Sequence, residues 1–142
     1  KDEGASLEKE FQLRIANINN LMNEAVSYDA ERVETVKTRL RTALDELKVN
    51  VDENRFEQEL IFYLEKYDIT EEKVRLGNHL NYFLETLNGT EANGRKLGFI
   101  TQEMGREINT MGSKSNHTEM QKLVVMMKDE LEKIKEQVLN VL

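Results

Sequence analysis

Apolar residues recur along this chain at steps of three and four, the spacing of one face of an α-helix. In the opening segment they fall at Leu7, Phe11, Ile15, Ile18, Met22 and Ala25, which predicts a helix over 7–26 with Ser6 as its N-cap. Ser27, Tyr28 and Asp29 interrupt the stripe. A second helix is predicted over 30–48 on Val33, Val36, Leu40, Ala43 and Leu47. Two such helices with a short connection make an antiparallel hairpin with a coiled-coil-like seam. Asp52 can cap a third helix over 53–67, which carries Phe56, Leu60, Tyr63, Leu64 and Tyr67. Its run 60–64 is apolar on every side and predicts burial between layers. Thr70 begins a fourth helix, with Glu71 and Glu72 in the turn where they suit the helix dipole. That helix carries Leu76, Leu80, Phe83 and Leu87 before Gly89 stops it. A fifth is predicted over 95–110 on Leu97, Ile100, Met104, Ile108 and Met111, followed by a loop over 112–116. The last starts at Thr118, where Thr118 and Gln121 fit a capping box, and continues through Met120, Val124, Met127, Leu131, Ile134, Val138 and Val141.

No segment alternates apolar and polar residues as a half-buried strand does, so the predicted fold is all-α. Residues 1–50 read as a long antiparallel hairpin arm, and residues 51–142 as a helical domain. The bundle is expected to contain about four helices. Composition narrows the chemistry. The 142 residues include no Cys, which excludes disulfides, thiol catalysis and Cys-ligated metal. No apolar run is long enough to span a membrane, and the charged start lacks the apolar core of a signal peptide. With 20 basic and 27 acidic residues the formal net charge is −7. That balance argues against a protein that simply coats a polyanion, while leaving room for a local basic patch.

Such a patch lies at 94–117, where Arg95, Lys96, Arg106 and Lys114 stand against Glu103 and Glu107. The two glutamates are four apart on one helix face, where like charges conflict. Either a divalent cation bound between them or a neighbouring Arg or Lys removes the conflict; Arg106 is rotated to another side, so Arg75 or a cation is better placed. His79 shares a face of the fourth helix with Glu72 and Arg75. If the fourth and fifth helices pack side by side, Asp68, Glu72 and His79 can meet Glu103 and Glu107, a set suited to Mn²⁺ or Mg²⁺. Ser113, Lys114, Ser115 and Asn116 precede a helix N-terminus, a place where anions bind, and His117 reads as a capping or surface residue. Gly98, Gly105 and Gly112, seven apart, mark one side of the fifth helix for close packing or for approach of a substrate phosphate. No phosphate-loop, nucleophile-elbow or HExxH motif is present.

The stretches DITEEKVRLGNHLNYF (68–83) and GRKLGFITQEMGREINTMGSKSN (94–116) resemble the YicC/YloC family of bacterial proteins, as do the opening EGASLEKEF and the ending KDELEKIKEQVLNV. Three positions depart from the family pattern: Gly98 stands where Asp is usual, Gly105 where Asn is usual, and Asn78 where Ser precedes the His. The resemblance implies the C-terminal half of a protein about twice as long, described as stress-induced and cytoplasmic. It implies a divalent-metal-dependent endoribonuclease that acts on single-stranded RNA and assembles into ring-like homo-oligomers. In that expectation His79, Glu103 and Glu107 are catalytic and hold the metal, with Glu72 and Asp68 as further candidate ligands. Arg75, Arg95, Lys96, Arg106, Ser113 and Lys114 bind RNA, and Phe83 and Phe99 either stack on bases or, the stronger expectation, pack in the core. The alternative is a helical module that binds RNA or protein, or only oligomerises, without cutting.

Overall fold

The computed structural model describes residues 2–47, 50–89, 94–115 and 117–141. Among them the regular structure is entirely helical, in five elements: α1 (Asp2–Glu46), α2 (Glu53–Lys66), α3 (Thr70–Asn88), α4 (Gly94–Lys114) and α5 (Thr118–Val138). The architecture is a long helical hairpin arm joined to a bundle of four helices.

The first two predicted helices are one. The helix α1 runs unbroken for 45 residues, about 68 Å at 1.5 Å per residue. Ser27 and Asp29 do not stop it, because their polar groups are satisfied within the helix. The Ser27 hydroxyl donates to the carbonyl of Glu24, and Asp29 pairs with Arg32 at 2.9 Å. The Tyr28 ring packs against His117, with centroids 5.3 Å apart. Ser6 accordingly lies inside α1 rather than capping it.

The hairpin is therefore made by the second half of α1 and α2. Arg41 of α1 donates two hydrogen bonds to the Glu53 carboxylate, at 2.9 and 2.8 Å, and lies over the Phe56 ring. The Arg32 guanidinium also donates to the carbonyl of Leu64. Asp52 caps α2 as expected, accepting from the amides of Asn54 and Arg55. The apolar run 60–64 is not buried between layers. Leu60 is buried, whereas Ile61, Phe62 and Tyr63 are exposed.

The bundle consists of the first half of α1 with α3, α4 and α5. Each helix packs on two neighbours, in the order α1, α5, α4, α3 and back to α1. The predicted stripes meet in one core. Phe11, Ile15, Ile18, Met22 and Ala25 of α1 join Leu76, Leu80 and Phe83 of α3. Leu97, Ile100, Met104, Ile108 and Met111 come from α4, and α5 contributes seven residues from Met120 to Val138. Phe11 and Phe83 meet edge to face, with centroids 5.3 Å apart, a contact worth about 0.5–1.5 kcal/mol beyond its area. Phe83 is fully buried, so it is a core residue and offers no face to a base. At the rim, Arg14 of α1 and Glu130 of α5 pair at 3.1 Å.

Candidate nucleic-acid interface

The site is built on the neighbouring helices α3 and α4. Asp68 starts α3 by accepting from the amide and the hydroxyl of Thr70, at 3.1 and 2.7 Å. Glu72, in the first turn, is buried, and its carboxylate takes the Lys114 ammonium of α4 at 2.8 Å. Lys114 also donates to the carbonyl of Asp68 at 3.0 Å. One turn along α3, Arg75 pairs with Glu71 and reaches across to Glu107 of α4 at 3.8 Å. Glu107 is buried, and Glu103, one turn before it, pairs with Arg106 at 3.6 Å. The conflict between Glu103 and Glu107 is thus relieved by two separate cations of the chain itself.

His79 lies half-buried on α3, one turn beyond Arg75. Among the described residues no three His, Asp or Glu side chains are gathered so as to hold a metal ion. His79, Glu103 and Glu107 are therefore not brought together as a ligand set. The carboxylates expected to serve a cation already have partners: Asp68 accepts from Thr70 and Glu72 from Lys114, while Glu103 and Glu107 form longer ion pairs with Arg106 and Arg75 at 3.6 and 3.8 Å. As arranged, these residues do not fit a divalent ion. Two of these contacts, Glu72–Lys114 and Glu107–Arg75, cross-link α3 to α4, while Asp68–Thr70 and Glu103–Arg106 are local to one helix end or one helix.

The other side of α4 has a different character. Its outward positions Arg95, Phe99, Gln102, Arg106, Asn109 and Ser113 follow steps of four and three, and all six are exposed. They form a stripe about 27 Å long whose own six positions hold no carboxylate, with Glu103 at its edge against Arg106. Ser113 belongs to the last turn of α4, where its hydroxyl donates to the carbonyl of Asn109, so it is not part of a loop before α5. Asn116 lies outside the described residues, and α5 is capped by the Nδ1 of His117, which accepts from the amide of Glu119.

Two hollows flank the start of this stripe. One, of about 420 Å³, is lined by Tyr82, Arg95, Lys96, Phe99 and Ile100. The other, of about 500 Å³, reaches from Arg95 and Phe99 across Gly98 to Gln102 and Lys135. Tyr82 and Lys135 were missed in the sequence, because they come from α3 and α5 and only packing brings them beside α4. Phe99, expected mainly in the core, is exposed; that was within reach, since the spacing of Leu97, Ile100 and Met104 leaves it off the buried face. The α4 glycines face α5: a Cβ at Gly98, Gly105 or Gly112 would meet Val138, Leu131 or Val124 at 3.9, 3.4 or 3.1 Å. This is close helix packing.

No helix among the described residues is long and apolar enough to cross a membrane. The family description "Endoribonuclease YicC-like, C-terminal" matches residues 25–142. The chain is 38% identical to a protein named "Probable endoribonuclease YicC" from Clostridioides difficile (strain 630), over 99% of this chain and 49% of that protein. It is 32% identical to a protein of the same name from Haemophilus influenzae, over 97% of this chain and 48% of that one. The chain therefore spans about half the length of the curated relatives it matches. With the match covering most of its length, the chain belongs to the family of YicC-like endoribonuclease C-terminal domains.

Proposed function

We propose that this chain is the RNA-gripping half of an endoribonuclease that cuts single-stranded RNA. The observation that carries this reading is the exposed α4 stripe from Arg95 to Ser113, which has a single carboxylate at its edge, Glu103 against Arg106, in a chain of net charge −7. A polyanion is repelled by most of this surface and accepted along one stripe, where Arg95 and Arg106 can neutralise phosphates. Lys96 and Lys135 extend the same patch onto its flanks. Arg75, Lys114 and the buried glutamates act behind that stripe, holding α3 and α4 in register.

A divalent cation, Mn²⁺ or Mg²⁺, is a separate proposal for the whole protein. Its ligands have to include residues other than the paired carboxylates of α3 and α4, so no catalytic step is assigned to it here. Assembly of the whole protein into homo-oligomers, working in the cytoplasm, is proposed on the apolar surface of the arm. There Phe62 and Ile61 are exposed beside a groove of about 510 Å³ that includes Leu40, Phe56 and Leu60.

The test is cleavage of one RNA sequence, single-stranded or annealed to its complement, by the whole protein with and without a chelator. Cleavage of the single strand, lost in an Arg95→Gln/Arg106→Gln variant mainly through a higher KM, is expected. Equal cleavage by that variant would remove the assignment of α4 as the grip.

A further inference from the structure

We propose that Phe99 is a base-stacking residue, the ridge of a site for unpaired RNA built from α3, α4 and α5. The inference rests on the RNA reading above and adds to it the side chain that meets a base.

Among the large apolar residues of α4, Leu97, Ile100, Met104, Ile108 and Met111 are buried, whereas Phe99 is 62% exposed. A single exposed apolar residue is ordinary; the surroundings of this one are not. Phe99 and Arg95 line both hollows, so the ring stands between two concavities. In one of them a second aromatic, Tyr82, is 43% exposed. The Lys96 ammonium lies 5.0 Å from the centroid of its ring, within cation–π range. In the other, Lys135 stands opposite with Gln102 alongside. Neither lining contains a carboxylate, although the chain has 27 acidic residues. Glu132, which pairs with Lys135 at 3.4 Å, lies outside both.

Flat π-faces interleaved with cations suit a ligand with flat bases and regularly spaced negative charge. An apolar peptide would use the rings but bring no negative charge to Arg95, Lys96 and Lys135. A duplex would meet the cations, but its bases are stacked on each other and offer no free face. In A-form RNA the deep, narrow major groove shuts side chains out. Single-stranded nucleic acid satisfies both halves of the surface, by stacking on Phe99 and Tyr82 and by phosphate contacts to Arg95, Lys96 and Lys135.

The experiment uses a short single-stranded RNA with one 2-aminopurine, whose fluorescence is quenched on stacking, titrated with the protein at several salt concentrations. Wild type is expected to quench the probe. Phe99→Ala should bind roughly 5- to 100-fold more weakly and lose the quench, while the slope of log affinity against log salt stays unchanged. Phe99→Trp should restore both affinity and quench. Arg95→Gln should retain the quench and flatten the slope by about 0.7, the value for one phosphate contact to a single strand. Thermal unfolding of each variant checks the fold, which an exposed position should leave intact. If wild type binds RNA and Phe99→Ala binds equally with the same quench, the stacking role is overturned and the RNA reading stands. Unchanged RNA binding together with a changed assembly size would make Phe99 a protein contact and also overturn the proposal. If wild type binds no RNA at low salt, the RNA reading falls and takes this inference with it.

Discussion

At the scale of single residues, substitutions at two glycines of α4 carry opposite signs, and the buried ion pair between α3 and α4 can be tested on its own. A Cβ at Gly98 has Val138 as its nearest neighbour at 3.9 Å, an ordinary contact, and the position is helical. Gly98→Ala is expected to raise stability by about 0.5–1 kcal/mol, read from denaturant unfolding, because it removes the entropy of a mid-helix glycine. At Gly94 a Cβ would lie 2.3 Å from the carbonyl oxygen of Val141, and backbone cannot step aside as a side chain can. Gly94→Ala should therefore lower stability, by about 1–3 kcal/mol. The Glu72 carboxylate is 3% exposed and pairs with a Lys114 that is 27% exposed. Glu72→Gln leaves that ammonium without its counter-charge and should cost about 1–3 kcal/mol, discounted for the partial exposure of the lysine. Adding Lys114→Met should recover part of the loss in a double-mutant cycle. A fully additive cycle would mean that the pair does not hold the two helices together. Much at this scale was legible: helical spacing alone separates buried Leu97 and Ile100 from exposed Phe99. Spacing narrowed the partner of the two glutamates to Arg75 or a cation, and Arg75 does reach Glu107; Arg106, expected to be turned away, pairs with Glu103 three residues before it.

Among the elements, the arm depends on how α2 is held to the second half of α1. Arg41 donates two hydrogen bonds to the Glu53 carboxylate, which holds that carboxyl below its ordinary value. A carboxyl pKa depressed on folding contributes stability that is present above its unfolded value, near pH 4.3, and is lost as the pH falls through the lower folded value. The ¹³C titration of the Glu53 carboxyl should therefore have a lower midpoint in wild type than in Arg41→Gln. A shared midpoint would mean that the pair is not formed in solution. In the same variant, amide exchange at pH 7 should quicken across 53–66, with α3, α4 and α5 unchanged, since their core is separate from this contact. The arm is also where periodicity misled. Ser27-Tyr28-Asp29 has the composition of a helix boundary, yet capping side chains can be satisfied inside a helix as well as at its end. The run 60–64 shows the complementary error. Apolar residues all round a short helix predict burial, but α2 lies outside the bundle core and leaves Phe62 exposed.

Over the whole molecule, charge is distributed so that one face departs from the rest. The seven surplus negative charges belong to the chain as a whole, while the linings of the two hollows carry none and the outward stripe of α4 meets only Glu103, at its edge. The stripe itself was legible from 94–117, where four cations outnumber two carboxylates. Its flank from α5 was not, because Lys135 reaches it only through the packing of α4 on α5. The long-range field therefore opposes an approaching polyanion and the local patch attracts it, so binding should be weak and strongly dependent on salt. Four cations lie on and beside the stripe, namely Arg95, Lys96, Arg106 and Lys135, of which Arg106 pairs with Glu103 and Lys135 with Glu132. At about 0.7 per phosphate neutralised on a single strand, they cap the slope of log affinity against log salt near −3. The 142-residue chain is expected to bind a single-stranded RNA with a slope of about −2 to −3, and Arg106→Gln should reduce it by about 0.7. An equal duplex should bind more weakly, since it meets the same cations without the aromatic contacts. Anisotropy titrations between low and physiological salt measure all three quantities. Tight binding that ignores salt, or a preference for the duplex, would place the RNA contact on a surface other than α4.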